Sequence, residues 1–255
     1  MLAETRSALN KVPQVTLFFW LIKMMSTTVG ETAADYLNVN LGFGLSMTSL
    51  VAGGLFALLL FCQMRSRRYI PALYWMTVVM VSIFGTLITD NLTDSLGIPL
   101  LLSTIMFSGA LILTFMLWHR SEGTLSIHAI NTPGREAFYW AAILFTFALG
   151  TAAGDWLSEG MNLGYLLSAA VFGGGIILVT LAWAFIGANA VLCFWIAYIL
   201  TRPLGASFGD LLAQPTTNGG FGIGIMEINT LFLVAIAALV GYLTLVERSA
   251  DPHSD

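Results

Sequence analysis

The sequence predicts an all-α integral membrane protein: eight transmembrane helices built as four parallel two-helix repeats. Three observations carry this. The 255 residues are 57% hydrophobic and only 9% charged, with a mean hydropathy of +0.84, whereas an average soluble domain is about 25% charged. One motif recurs four times. The basic residues gather in alternate loops. The same composition excludes a disordered chain. The apolar runs are continuous, which excludes the alternating ten-residue segments of an outer-membrane barrel.

Four aromatic-Trp pairs stand at Phe19-Trp20, Tyr74-Trp75, Tyr139-Trp140 and Phe194-Trp195. Each is followed at fixed spacing by a glycine (Gly30, Gly85, Gly150, Gly205), an aspartate (Asp35, Asp90, Asp155, Asp210) and a leucine (Leu37, Leu92, Leu157, Leu212). The motif is aromatic-Trp-x9-Gly-x4-Asp-x-Leu, and its copies start 55, 65 and 55 residues apart. That spacing leaves room for two spans of about 20 residues per copy.

Taken in order, residues 13–37 form the first motif helix, starting at Pro13, and 43–64 its return helix, with Gly53-Gly54. Residues 70–92 and 98–119 repeat the pair, Gly109 lying in the return. The third pair is 136–158 and 163–184, with Gly173-Gly174-Gly175. The fourth is 188–210, which Pro203 should kink, and 224–246, which follows the glycine-rich loop Asn218–Gly224. The repeats thus cover 13–64, 70–119, 136–184 and 188–246 within one membrane domain, 1–255. Residues Met1 to Lys11 lack the pattern of a removable signal peptide, so the first apolar stretch reads as a true span. An even number of spans per copy gives successive copies one orientation, and hence parallel rather than inverted repeats.

Arg6, Lys11, Arg65, Arg67, Arg68, Arg120, Arg135 and Arg248 all fall on one side, and the opposite loops near 38–42, 93–97, 159–162 and 211–223 hold no Lys or Arg. The positive-inside rule then places both termini in the cytoplasm. Cys62 and Cys193 show no metal-ligand spacing and read as buried small hydrophobes. A net charge of −4 does not point to nucleic acid. No catalytic constellation or phosphate loop is present, so neither an enzyme nor a cofactor is expected. The partners expected are the lipid bilayer and a small solute; homo-oligomerisation is left open.

The motif helices carry polar columns at four-residue spacing, which stack on one helix face. These are Lys23, Thr27, Glu31, Asp35; Ser82, Thr86, Asp90, Asp94; Phe147, Thr151, Asp155, Glu159; and Tyr198, Arg202, Ala206, Asp210. Lys23 and Arg202 fall near mid-span. A charge there costs at least about 2.5–3.5 kcal/mol unless it faces a paired or wet interior, so the columns should converge. Asp35, Asp90, Asp155 and Asp210 would then form a coordination ring for a metal cation, joined by Glu31, Asp94, Glu159 and Glu227 and by the hydroxyls of Thr27, Thr86 and Thr151, since hard cations take oxygen ligands. Lys23 and Arg202 would be counter-charges, pairing with Glu31, Asp210 or Glu227. A plainer reading stands beside this: each Asp caps a helix end or holds neighbours in register. The repeated glycines read as sites of close helix approach, and the Trp residues as packing groups.

The stretch Lys11-Val12-Pro13-Gln14-Val15-Thr16, then Lys23, Thr27-Thr28-Val29-Gly30-Glu31 and Asp35, resembles the first repeat of an uncharacterised bacterial membrane-anchored family. Its four-copy unit is described only as a repeat of unknown function. Later copies keep Gly and Asp, while Glu31 gives way to Thr86, Thr151 or Ala206. The resemblance implies the repeat and a bacterial inner-membrane location, and no substrate. The expected function is a secondary transporter or channel-like permease for a small cation, with divalent ions and proton coupling open. The alternatives are a permease for a small anionic or organic solute held at Lys23 and Arg202, or a non-transporting scaffold or sensor.

Overall fold

Side chains and prolines supplied by the sequence set several helix starts. Thr16 Oγ1 accepts the Phe19 N–H, Thr132 Oγ1 that of Arg135, and Asn189 Oδ1 those of Val191 and Leu192. Pro71 and Pro133 occupy first turns, where their missing N–H has no partner to lose. The structure, a computed structural model, describes residues 10–250, with side chains to residue 247. Arg6 and the rest of Met1–Leu9 lie outside the described residues, as does the side chain of Arg248. Eight long helices run among the described residues: α1 (Leu17–Asp35), α2 (Gly44–Arg65), α3 (Pro71–Asp90), α4 (Leu100–Glu122), α5 (Pro133–Asp155), α6 (Gly164–Leu181), α7 (Ala190–Ala213) and α8 (Ile225–Ala250). Seven are long and apolar enough to cross a membrane. The exception is α1, which carries Lys23, Glu31 and Asp35.

The motif aspartates mark where the α-helical turn gives out. After Asp35, Asp90 and Asp155 the chain enters a wider turn closed by i→i+5 bonds: Leu41 N to Tyr36 O (2.9 Å), Leu96 N to Asn91 O (3.1 Å) and Met161 N to Trp156 O (2.8 Å). The motif leucines lie within or just beyond these helix ends. The carbonyls of Leu37, Leu92, Leu157 and Leu212 accept from Phe43, Ile98, Leu163 and Ile223, which tie the chain into each return helix. Gly42, Gly97 and Asn162 take the left-handed conformation that the first three reversals require. Copy four departs: α7 runs unbroken through Pro203 to Ala213, and the glycine-rich loop is bonded back to its last turns by Phe221 N to Leu211 O and Gly222 N to Gln214 O. Phe221 and Ile223 are exposed in this loop.

Helices α1, α3, α5 and α7 form a closed ring, each packed on the next, with α7 against α1. The motif residues make the joints. Phe19 meets Trp75, Tyr74 meets Trp140, Tyr139 meets Trp195 and Phe194 meets Trp20, at centroid separations of 5.6, 5.6, 6.2 and 5.8 Å. Such ring pairs contribute about 0.5–1.5 kcal/mol each beyond area burial. Further along, each motif glycine seats a side chain of the following copy: Gly30 takes Ser82, Gly85 takes Phe147, Gly150 takes Arg202 and Gly205 takes Thr27. A Cβ at any of the four would overlap its guest. The return helices follow the same rotation. Helix α2 lies on α3, α4 on α5, α6 on α7 and α8 on α1. They expose apolar side chains such as Phe61, Ile112, Leu178 and Leu231, the surface expected of helices facing lipid. Cys62 is exposed on this outer layer and Cys193 is half-buried, so neither is the buried hydrophobe expected; the outer face is itself apolar.

At the end of the ring away from the aspartates, residues 10–16 lie across the helix ends. Lys11 N donates to Ile130 O, and Lys11 Nζ reaches Met64 O at 3.0 Å and Glu136 Oε2 at 2.6 Å. Glu136 is buried and also accepts from Gln63 Nε2 at 3.3 Å.

The glycine joints give a direct contrast. Gly150→Ala should lower stability by about 1–3 kcal/mol through overpacking against Arg202. Gly154→Ala, whose added Cβ would find its nearest neighbours at 3.6–3.7 Å, should leave the melting temperature unchanged or raise it. Thermal unfolding of both variants in detergent checks this.

Candidate functional site

Two turns past the aromatic layer, the ring presents Thr27, Ser82, Phe147 and Arg202 at equivalent positions. One turn further come Glu31, Thr86, Thr151 and Ala206. Ala206 leaves space where the other copies carry longer groups, and Arg202 reaches across. Its Nη2 donates to Glu31 Oε2 at 2.9 Å, to Thr151 Oγ1 at 2.7 Å and to Thr86 Oγ1. Arg202 is fully buried. The two threonines thus hold the guanidinium, and Thr86 also donates to Glu31 at 3.4 Å. Thr27 takes neither part: its hydroxyl donates to Met24 O and its side chain fills the seat at Gly205.

Beyond the guanidinium lies the acidic end. Glu31, Asp155 and Asp210 each offer a carboxylate oxygen, and the three oxygens lie within 4.8 Å of one another. Glu31 and Asp210 are buried and Asp155 is half-buried. This triad has the donor type and spacing of a hard-cation site. When ionised, the three carboxylates outnumber the one guanidinium beside them.

The other acidic residues divide by position. Asp35 and Asp90 are half-buried at positions equivalent to Asp155 and Asp210, outside the close triad. Asp94 and Glu159 are exposed, because the wider turns after Asp90 and Asp155 break the four-residue stacking that put them in the columns. Tyr165 Oη donates to Glu159 at 3.2 Å. Glu227 is exposed in the first turn of α8, where a carboxylate suits the helix dipole. Its carboxylate lies against Gly224 rather than Arg202.

The expected counter-charges behave differently. Arg202 pairs with Glu31. Among the described residues Lys23, 1% exposed, finds no hydrogen-bond acceptor for Nζ; the ammonium lies over the Tyr198 ring at 3.8 Å and 5.2 Å from that of Phe147. Phe147 and Tyr198 stood in the polar columns as apparent gaps. Tyr198 stands at the level of Lys23 and Phe147 at that of Arg202, and an aromatic group level with a mid-helix cation was the signal for each. Glu136 drew no attention because it sits at a span start, where a carboxylate ordinarily meets water.

Four segments, 18–69, 73–124, 138–189 and 193–249, match the family described as "Repeat of Unknown Function (DUF347)". The chain belongs to this DUF347 repeat family. No curated protein and no solved structure matches the chain. Each DUF347 segment starts one residue before an aromatic-Trp pair; the first three end beyond a return helix and the fourth within the last turn of α8, so the family unit coincides with the motif-plus-return pair. The DUF347 repeats meet at the aromatic and glycine joints, and the Arg202–Glu31 contact links the fourth repeat to the first.

Proposed function

We propose that the protein is a multi-pass carrier for a small cation, divalent ions included, which binds at Glu31, Asp155 and Asp210. The convergence of those three carboxylates within 4.8 Å, two of them buried, carries the reading. Asp35 and Asp90 provide the approach. Arg202 occupies Glu31 when the cation is absent, and the two compete for that carboxylate, so release does not leave bare negative charge in a dry site. Proton coupling is open to the same carboxylates. The aromatic layer favours a carrier over an open channel: Phe19, Tyr74, Trp75, Tyr139, Trp140 and Trp195 are all nearly fully buried, and the Tyr74 and Tyr139 hydroxyls bond to each other. Ion passage requires that layer to part.

Four parallel repeats in a bacterial inner membrane, with both termini cytoplasmic, are part of the same proposal. The joints support the parallel arrangement, since equivalent residues of successive copies meet at equivalent positions all round the ring. Lys11, Arg65, Arg67, Arg68, Arg120 and Arg135 at the end away from the aspartates support the orientation.

Flux of a panel of metal ions into proteoliposomes tests the proposal. The expected result is saturable uptake of at least one ion. Asp155→Asn and Asp210→Asn should each weaken apparent affinity by about tenfold or more, the equivalent of some 1.4 kcal/mol of lost interaction. Absence of uptake for every ion, or uptake unchanged in the Asp155→Asn/Asp210→Asn double variant, overturns it.

A further inference from the structure

On the other side of the guanidinium from the carboxylates, the donor–acceptor balance reverses. Arg202 spends only Nη2 on Glu31, Thr86 and Thr151; its Nε and Nη1 are buried with no acceptor among the described residues. Lys23 Nζ is likewise buried without one. Both cations face the same ring, with Lys23 Nζ 5.2 Å and Arg202 Cζ 5.7 Å from the Phe147 centroid. Ring faces attract a cation only weakly beside water or a carboxylate. The cost of burying an unpaired ion exceeds that attraction, so the rings alone do not balance Lys23. Glu31 offsets one of the two positive charges. Among the described residues no salt bridge offsets the other. Buried donors of this kind are almost always satisfied in folded proteins.

We propose that Lys23 and Arg202 together bind a small monovalent inorganic anion of halide size, beside Phe147, and that this anion regulates the carboxylate site. The orphaned nitrogens of the two cations supply its donors, on the side of the guanidinium away from the carboxylates. The size limit follows from Tyr198 and Phe147, which pack directly on Lys23. An anion held by Nε and Nη1 shares the guanidinium with Glu31 and weakens its grip on that carboxylate, so Glu31 becomes available to a cation. The regulatory half rests on the cation reading above; the binding half does not.

The test uses the full chain, purified in detergent without added metal, at constant ionic strength, with sodium gluconate replaced stepwise by sodium chloride or bromide. The expected result is a saturable rise in melting temperature with halide that Lys23→Met abolishes; that variant removes a buried charge and should fold. No halide response in the wild type, or one that survives Lys23→Met, overturns the anion site. Anomalous scattering from bromide-soaked wild-type crystals gives a reading that does not depend on any variant folding. A bromide peak bridging Lys23 and Arg202 supports the site, and its absence there overturns it. In proteoliposomes that take up a cation, replacing chloride by gluconate should weaken cation affinity about fivefold or more, within the usual range of coupling between sites. Equal affinities in the two salts overturn the regulatory half. Failure of uptake itself speaks only to the cation reading.

Discussion

Arg202→Met will destabilise the folded protein by about 3–5 kcal/mol, the loss typical when one partner of a buried ion pair is removed. The variant leaves Glu31 buried with only the 3.4 Å contact from Thr86, strips Thr151 of its bond to Nη2, and leaves Glu31 beside Asp155 and Asp210 without its guanidinium partner. Glu31→Gln should cost less, because a neutral amide can still accept from Arg202. The double variant Arg202→Met/Glu31→Gln should recover most of the loss, since both charges then disappear together. A double-mutant cycle of unfolding in detergent measures this. Additive losses would show that the 2.9 Å contact contributes little.

Lys11→Met will have the next largest effect, again about 3–5 kcal/mol, by leaving Glu136 uncompensated at 1% exposure. Lys11 joins three parts of the chain, bonding Met64 O at the end of α2, Glu136 in the first turn of α5 and, through its backbone, Ile130. Methionine keeps the length of the side chain and removes the donor. Glu136→Gln in the Lys11→Met background should restore stability, because a glutamine tolerates the site uncharged and can still accept from Gln63. A melting temperature for Lys11→Met within a degree or two of wild type would mean that residues 10–16 do not brace the bundle.

Composition and periodicity foretold much of this architecture. The eight helices, their pairing into four copies and the inward turn of Lys23, Glu31 and Arg202 all follow from apolar run lengths, motif spacing and the cost of burying charge in lipid. What spacing could not reveal was who touches whom. Nothing in the string says that Phe19 reaches Trp75, or that Gly150 exists to admit Arg202, because these are contacts between copies and a repeat is silent about its neighbours. The acidic columns were over-extended at Asp94 and Glu159 for a local reason. Four-residue stacking presumes α-helix, and the turn widens just after Asp90 and Asp155. Thr86 and Thr151 lie at the depth that the columns gave them, and their hydroxyls accept from the guanidinium, a partner that the columns could not name.

The closed ring has a chemical consequence that depends on its copies being one covalent chain. A tetramer of identical hairpins would set the same side chain at every position of a given level, and four arginines or four glutamates meeting on one axis would repel. Fusing the units in tandem lets a single arginine in the last copy answer a single glutamate in the first, while the intervening copies offer hydroxyls. Four unlike copies in one chain thus permit a lopsided centre inside a nearly symmetric frame, with the arginine of one level answered by the glutamate of the next.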